Sequence, residues 1–253
     1  MRKFLSTLVM KRYLFSLIFR VLIFCAFLSV YLFNRNGLLD LITYPLFAGI
    51  TTMHILWAIF MVIMTMHIFP NNKLTMALRK MEGKEYEPVP GHARIELLEY
   101  VQVQNIRAWV ILLIWLLFNC IFGALYLMDI IRIVDMLMLT VFFFLCDYIC
   151  ILFFCPFQTF IMKNKCCVNC RIYDWGHFMM FTPMLFIQNF ISWSLFVTSL
   201  IVLIRWEITY AQHPERFWSG SNKKLQCANC NDKICQIKGK LIKIEEKEKC
   251  KTE

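Results

Sequence analysis

The chain has 253 residues, of which 59% are hydrophobic and 17% are charged, and its formal net charge is +10. Soluble domains are about 45–50% apolar and about 25% charged, so this composition excludes an ordinary soluble globular protein. The positive charge is distributed over short polar segments and a C-terminal tail, where basic residues orient membrane proteins and meet anionic lipid. We therefore expect a lipid bilayer as partner and no nucleic acid.

The apolar residues are concentrated in long runs. An apolar run of about 18 or more residues is long enough to cross a bilayer as a helix. The five runs lie at residues 13–33, 41–69, 109–131, 134–161 and 178–204. The sequence therefore predicts an all-α, polytopic helical membrane protein with about five hydrophobic segments and four or five crossings. Its transmembrane domain covers 13–204, and we expect it in a plasma or cytoplasmic membrane.

The N-terminal segment 1–20 carries basic and hydroxyl residues at every fourth or fifth position. This spacing predicts a basic amphipathic segment that lies on the membrane surface before the first crossing. Arg20 lies near the start of the first apolar run, so we expect its side chain to reach the head groups; the alternative is a functional charge within the membrane. No small-residue cleavage site follows before Asn34, which argues against a cleavable signal peptide.

The Lys and Arg residues bear on how the fifth run is arranged. They divide 14 to 13 between the two sides if all five segments cross, and 25 to 2 if the fifth enters and returns on the same side. A basic excess marks the cytoplasm. Pro183, Gln188 and Asn189 are compatible with a break in the run, but its 27 residues also suit one helix. Both arrangements stay open, and in each the 70–108 loop and Cys166 are expected to be cytoplasmic.

The segment KNKCCVNC, residues 163–170, places three cysteines in the polar gap between the fourth and fifth runs. Cys167 and Cys170 have the spacing at which a tight turn directs two sulfurs to one metal ion. We expect the neighbouring Lys163, Lys165 and Arg171 to lower the pKa of these thiols and favour thiolates.

The basic C-terminal tail, 205–253, repeats this spacing in CANCNDKIC. If the fifth run returns, the two CxxC pairs share one face and predict a site of four thiolates, which suits zinc or an iron–sulfur cluster. If the run crosses, the pairs form two separate sites, and the outward pair is a candidate disulfide. The candidate metal ligands are Cys155, Cys166, Cys167, Cys170, Cys227, Cys230 and Cys235.

Other interpretations of the cysteines remain open. Cys166 and Cys167 beside basic residues also suit palmitoylation, and the thiols need have no special role. Cys25 and Cys120 lie alone within apolar runs, and we interpret them as packing residues.

Among the polar residues within the apolar runs, His54 in the second and Asp147 in the fourth are the candidates for a functional pair. An ionisable residue at depth in a membrane is a candidate functional group. The two residues would form a proton relay or help to bind an ion if they pair. The alternative is an Asp147 that holds helices together through a hydrogen bond to His54, Tyr148 or Asn119.

These patterns lead to three functional hypotheses. The first is a redox or electron-transfer component, with a redox or membrane-protein partner, whose metal site is held by the cysteines at the cytoplasmic face. The second is a non-enzymatic scaffold or subunit in which zinc ties the tail to the loop. The third is a small transporter that uses His54 and Asp147. The sequence does not assign an enzymatic activity.

Overall fold

The computed structural model describes residues 8–47, 49–69, 76–91, 94–164 and 166–230. Regular structure in these residues is almost entirely helical, apart from a two-stranded antiparallel hairpin of β1 (Pro45–Phe47) and β2 (Ile50–Thr51). The helices are α1 (Leu8–Phe33), α2 (Arg35–Thr43), α3 (Thr52–Ile68), α4 (Met76–Arg79), α5 (Arg94–Leu127), α6 (Ile133–Leu152), α7 (Gly176–Phe181) and α8 (Phe190–Gln212).

Four of these helices, α1, α5, α6 and α8, are long and apolar enough to cross a membrane. The helix α3 is also apolar but has only 17 residues. The prediction of an all-α, polytopic membrane protein is therefore confirmed.

Two of the apolar runs are shorter as helices than their sequences suggest. In the second run the helix α3 begins only at Thr52, because the β1–β2 hairpin comes before it. Pro45 and Gly49 lie in this hairpin, and Gly49 has a φ of +80°. The fourth run ends as α6 at Leu152, and a π-helical turn at Phe157–Ile161 follows Pro156. A proline removes a backbone donor and limits helix continuation, so residues 157–161 are not part of the span.

The N-terminal segment is continuous with the first span. Within the described residues α1 runs unbroken from Leu8, so the predicted surface helix is not a separate element there. Tyr13 and Leu17 are buried with Leu145 and Leu152 of α6. One face of α1 therefore packs against a neighbouring helix; residues 1–7 of the predicted amphipathic segment lie outside the described part.

The fifth apolar run is a helical hairpin. After α7, a 3₁₀ turn spans Thr182–Phe186 with Pro183 in its first turn, and the chain is extended at Ile187. Asn189 then caps α8, accepting a hydrogen bond from the Ile191 N–H at 3.2 Å. Pro183 and Asn189, which suggested a break in the sequence, thus lie between the two helices of the hairpin, α7 and α8.

The two ends of this hairpin lie side by side. Trp206 Nε1, late in α8, donates to the Arg171 carbonyl at 2.8 Å, and Trp175 Nε1 donates to Glu207 Oε1 at 2.8 Å. The tip lies at the other end of α5, where the Phe186 ring meets Gly123. Of the two arrangements left open by the sequence, the structure has the one in which the chain returns.

The bundle therefore has two distinct faces. The N-terminal face contains the starts of α1 and α5, the ends of α3, α6 and α8, and the segments 76–91, 157–175 and 213–230. The opposite face contains 34–51, the turn 128–132 and the hairpin tip. Of the 16 Lys and Arg residues that the structure describes, only Arg35 and Arg132 lie on the opposite face. This is the asymmetry that basic residues show across a membrane.

Candidate functional site

Four cysteines gather where α6 ends against the cysteine-rich loop. The Cys170 N–H donates to the Cys167 carbonyl at 3.0 Å, which closes the CxxC turn. The Cys167 thiol donates to Gln158 Oε1 at 3.3 Å, and the Gln158 N–H donates to Cys155 Sγ at 3.4 Å. Cys155 is in turn hydrogen-bonded to Cys150. The loop thiols and the thiols at the end of α6 thus form one connected cluster.

A buried lysine lies within this turn. Lys80 is 2% exposed, and its Nζ donates to the carbonyls of Val168 at 2.7 Å and Cys170 at 3.1 Å. The rings of Trp206 and Phe217 lie 5.1 and 5.2 Å from the same Nζ. Burial lowers the pKa of Lys80 to about 8, because removal from water disfavours the charged form of an amine. The CxxC turn is therefore organised around an ammonium group.

The expectation that basic neighbours lower the thiol pKa is wrong for Cys170. Burial raises the pKa of Cys170 to about 12, and this outweighs the opposing effect of Lys80. The Arg171 guanidinium is directed away, into an ion pair with Glu207. Cys170 is therefore a neutral thiol at physiological pH.

The second CxxC turn lies on the same face as the first. The Cys230 N–H donates to the Cys227 carbonyl at 3.4 Å. Cys230 and Cys166 both pack against the buried pair Val168 and Leu225. The hairpin therefore brings the loop and the tail into contact, as a shared site requires.

Backbone hydrogen bonds hold this tail on the 76–91 segment. The Val89 N–H donates to the Ser221 carbonyl at 3.0 Å, and the Lys223 N–H donates to the Glu87 carbonyl at 2.8 Å. The position of Cys230 beside the loop is therefore fixed by contacts that do not involve cysteine.

In the part of the chain that the structure describes, no three His, Cys, Asp or Glu side chains are arranged to hold a metal ion. Cys227 is exposed, and Cys235 lies outside the described residues. Zinc and iron–sulfur binding therefore stay predictions.

Cys25 and Cys120 are exposed on the outer surfaces of α1 and α5. They are therefore not the buried packing residues that we expected; in a bilayer these surfaces face lipid.

His54 and Asp147 do not meet. His54 lies at the start of α3 on the opposite face, where its Nδ1 is 2.8 Å from Thr51 Oγ1. Asp147 lies five residues before the end of α6, nearer the N-terminal face. The predicted Asp–His pair is wrong, because α3 and α6 run in the same direction and His54 lies at the start of one whereas Asp147 lies near the end of the other.

The partner of Asp147 is Arg20. Arg20 Nη1 is 3.0 Å from Asp147 Oδ2 and also donates to the Phe144 carbonyl, while its guanidinium covers the rings of Phe144 and Tyr148 at 4.0 and 3.9 Å. A Cβ on Gly176 would lie 2.6 Å from Asp147 Oδ1, so only glycine admits this approach of α7. Arg20 does not extend to the head groups as we expected, because it finds an acid on the neighbouring helix.

Two histidines and a second aspartate lie beside this pair. His67 Nδ1, in the last turn of α3, is 2.7 Å from Asp174 Oδ1. The His67 and His177 rings lie in contact with centroids 4.6 Å apart and planes tilted by 33°. Asp174 Oδ2 and His177 Nε2 are buried and have no hydrogen-bond partner among the described residues. Buried polar atoms are normally paired, so these two atoms have unmet hydrogen-bonding capacity in the described structure.

All of these groups line one cavity of about 910 Å³. It lies between α1, which packs against α6, and α3, which packs against α8. The apolar part of its wall is formed by Phe19, Ile23, Phe27, Leu56, Ile59, Phe60, Ile63, Leu78, Val141, Phe144, Ile151, Met180 and Phe181. The polar part is formed by Arg12, Tyr13, Ser16, Arg20, His67, Arg79, Thr140, Asp147, Tyr148, Tyr173, Asp174 and His177.

The polar side chains are concentrated at the N-terminal face. On α3 the cavity runs from the apolar Leu56 to His67, which is about 16 Å at a helical rise of 1.5 Å per residue. On α1 it runs from Arg12 to Phe27. The cavity is therefore amphipathic along the helix axes, with its polar end toward the membrane surface.

Comparison with protein-family models, with curated proteins and with solved structures found no match. The fold and the cavity define the class: an all-α, polytopic membrane protein with a polar site at one end of an intramembrane cavity.

The sequence contained one signal for this site that we did not use. Arg20 and Asp147 are opposite charges in two different apolar runs, and charges in membrane helices tend to pair. Asp174 and His177 gave no comparable signal, because they lie where the sequence leaves a polar loop and enters an apolar run.

Proposed function

We propose that the protein binds a membrane lipid in the cavity between α1, α3, α6 and α7. The observation that carries the proposal is the polarity gradient of the cavity, whose polar end lies at the N-terminal face and whose apolar end lies at depth. A lipid has the same gradient over the same depth. Small-molecule sites measure about 300–1,000 Å³ and are mostly apolar with a few polar groups, and this cavity of about 910 Å³ fits that description.

The architecture supports lateral access. The helix α1 packs mainly against α6, and α3 packs mainly against α8. The helices α1 and α3 therefore make few direct contacts with each other across the cavity. Acyl chains can enter between such helices without leaving the apolar phase. The polar side chains then meet the head group without being drawn into hydrocarbon.

A matched pair of substitutions on α3 tests the proposal. Leu56 lines the cavity, whereas the adjacent Ile55 is 45% exposed on the outer surface. We expect Leu56→Trp to fill the apolar end and reduce the lipid that stays bound to purified protein, measured by native mass spectrometry after removal of loosely bound lipid. Ile55→Trp should retain the wild-type amount. Equal retention in both variants, or no retained lipid in the wild type, would contradict the proposal.

A second candidate function is a metal-dependent redox or electron-transfer site at the N-terminal face. The observation that favours it is the contact of Cys166 and Cys230 with the same buried pair, Val168 and Leu225. That contact is compatible with a shared site of four thiolates from two CxxC turns, which suits zinc or an iron–sulfur cluster. With a structural zinc, the same site would make the protein a scaffold or subunit.

Metal content across cysteine variants tests this second candidate. If one ion or cluster is shared, each single substitution should lower the metal content per protein to a similar level. These substitutions are Cys167→Ser, Cys170→Ser, Cys227→Ser and Cys230→Ser. Cys25→Ser and Cys120→Ser are the controls, since both residues lie far from the turns on outer helix surfaces. Visible absorbance with iron and sulfide would identify a cluster, and colourless protein with stoichiometric zinc a structural site. Wild-type protein without metal, prepared anaerobically with both metals supplied, would exclude the candidate.

A further inference from the structure

The polar end of the lipid cavity has an uncompensated positive charge. Arg20 is paired with Asp147, and His67 is bound to Asp174. Arg12 and Arg79 line the cavity from two different elements, α1 and α4.

Neither of these arginines is held by a close ion pair. Arg79 Nη1 lies 3.6 Å from Glu85, a carboxylate that also meets Lys224 at 3.3 Å, and Arg79 Nε is buried without a hydrogen-bond partner in the described residues. Arg12 forms no ion pair with any acid that the structure describes. Two guanidinium groups are thus available to an anion.

We propose that the bound lipid is a phospholipid with a net negative head group, whose phosphate is held between Arg12 and Arg79. This inference rests on the lipid-binding function proposed above. A guanidinium group presents a planar fork of donors that matches phosphate oxygens. Two such groups from separate elements, with the unpartnered Nε2 of His177 on the cavity wall, suit an anion with several acceptor oxygens.

The structure also provides space beyond the phosphate. Arg79 lines a second cavity of about 550 Å³ at the N-terminal face, formed with Lys80, Glu85, Glu87 and the tail residues 222–225 and 229. Its wall is polar, with Asn222 and Lys224 among its residues. A phosphate bound at Arg79 therefore has a polar compartment next to it for the remainder of the head group.

Binding of three probes to the purified full-length chain tests the inference. The probes are dioleoyl phosphatidylglycerol, dioleoyl phosphatidylcholine and inorganic phosphate, measured by retention in native mass spectrometry and by the shift in thermal unfolding. We expect the wild type to prefer phosphatidylglycerol by about tenfold, because both lipids offer a phosphate but the choline ammonium of phosphatidylcholine adds a positive charge near the two guanidinium groups. Arg79→Gln and Arg12→Gln should each reduce the preference, and the double variant should bind the two lipids about equally.

Lys84→Gln is the matched control, because Lys84 lies in the same segment as Arg79, is largely exposed and is not part of either cavity wall. It should keep the wild-type preference.

The possible failures are distinguishable. Wild-type protein that binds both lipids equally, with both lost in Leu56→Trp, would overturn the phosphate assignment and leave lipid binding intact. Retention of no lipid would overturn both. A double variant that keeps the preference for phosphatidylglycerol would exclude the arginines as its cause. Stabilisation of the wild type by inorganic phosphate as large as that by the lipid, and absent from Arg79→Gln, would assign the site to a soluble phosphate compound and overturn the lipid assignment.

Discussion

Arg20 and Asp147 form an ion pair between two apolar helices, with side chains that are 11% and 23% exposed. Removal of one partner of a buried pair leaves the other charge uncompensated and costs about 3 kcal/mol. We therefore expect Arg20→Met and Asp147→Leu each to lower the free energy of unfolding by about that amount. The double variant should lose much less than the sum, because neither charge then remains. Thermal unfolding in detergent micelles measures all three variants.

The ion pair of Arg35 and Asp135 is a control for this prediction. It links α2 and α6 on the opposite face, where the Arg35 side chain is 46% exposed. An exposed pair gains little over solvation by water, so Arg35→Met should have a much smaller effect than Arg20→Met. Strictly additive losses in the Arg20 and Asp147 variants would contradict a direct pairing.

The lowered pKa of Lys80 predicts a specific pH dependence. Its pKa falls from 10.5 to about 8 on folding, so between these values the unfolded chain binds the proton more than the folded chain does. Stability therefore rises with pH in that window. We expect the melting temperature of the wild type to rise relative to that of Lys80→Met between pH 8 and pH 10. Cys170 is present in both proteins, so its own titration largely cancels. A constant difference over this range would contradict burial of the ammonium.

At the scale of elements, the tip of the hairpin depends on one close contact. A Cβ at Gly123 in α5 would lie 2.3 Å from the Phe186 ring. Gly123→Ala should therefore push the hairpin away from α5 and lower the free energy of unfolding by about 1–3 kcal/mol, the usual cost of overpacking. Phe186→Leu in the same chain should restore part of the loss by making room for the methyl group. Thermal unfolding gives both values.

The adjacent Ala124 provides the control for this substitution, since it is exposed on the same helix. Ala124→Val should change stability by less than about 0.5 kcal/mol. If Gly123→Ala were as neutral as Ala124→Val, the tip would not pack against α5 as described.

At the scale of the whole molecule, the hairpin determines which segments share a side of the membrane. Lys84 and Lys223 lie in segments that contact one another on the N-terminal face, and Asp40 lies on the opposite face. The excess of basic residues predicts that the N-terminal face is cytoplasmic. In intact cells, we expect an impermeant maleimide to label Asp40→Cys but to label Lys84→Cys and Lys223→Cys only after permeabilisation. Labelling of Lys223→Cys from outside would contradict the returning hairpin, and the unsubstituted protein measures the background from native cysteines.

The sequence by itself determined the class of the protein and much of its helical content. Apolar runs as long as 109–131 cannot be buried in a soluble core of this size, so the helical membrane class follows from run length alone. It also determined the residues at which the fifth run breaks, because Pro183 and Asn189 act locally on the backbone. The distribution of Lys and Arg residues favoured a fifth run that returns to the same side, which is the arrangement in the structure.

Only the tertiary structure decided the direction of the fifth run and the partners of the polar residues. Asp147 was a candidate for His54 in sequence, but helix direction places it beside Arg20. Asp174 and His177 became part of a site because α7 folds back between α3 and α6. A side chain in a membrane helix binds what the neighbouring helix presents at the same depth. That depth depends on where each helix begins, where it breaks and which way it runs, and these are properties of the assembled bundle.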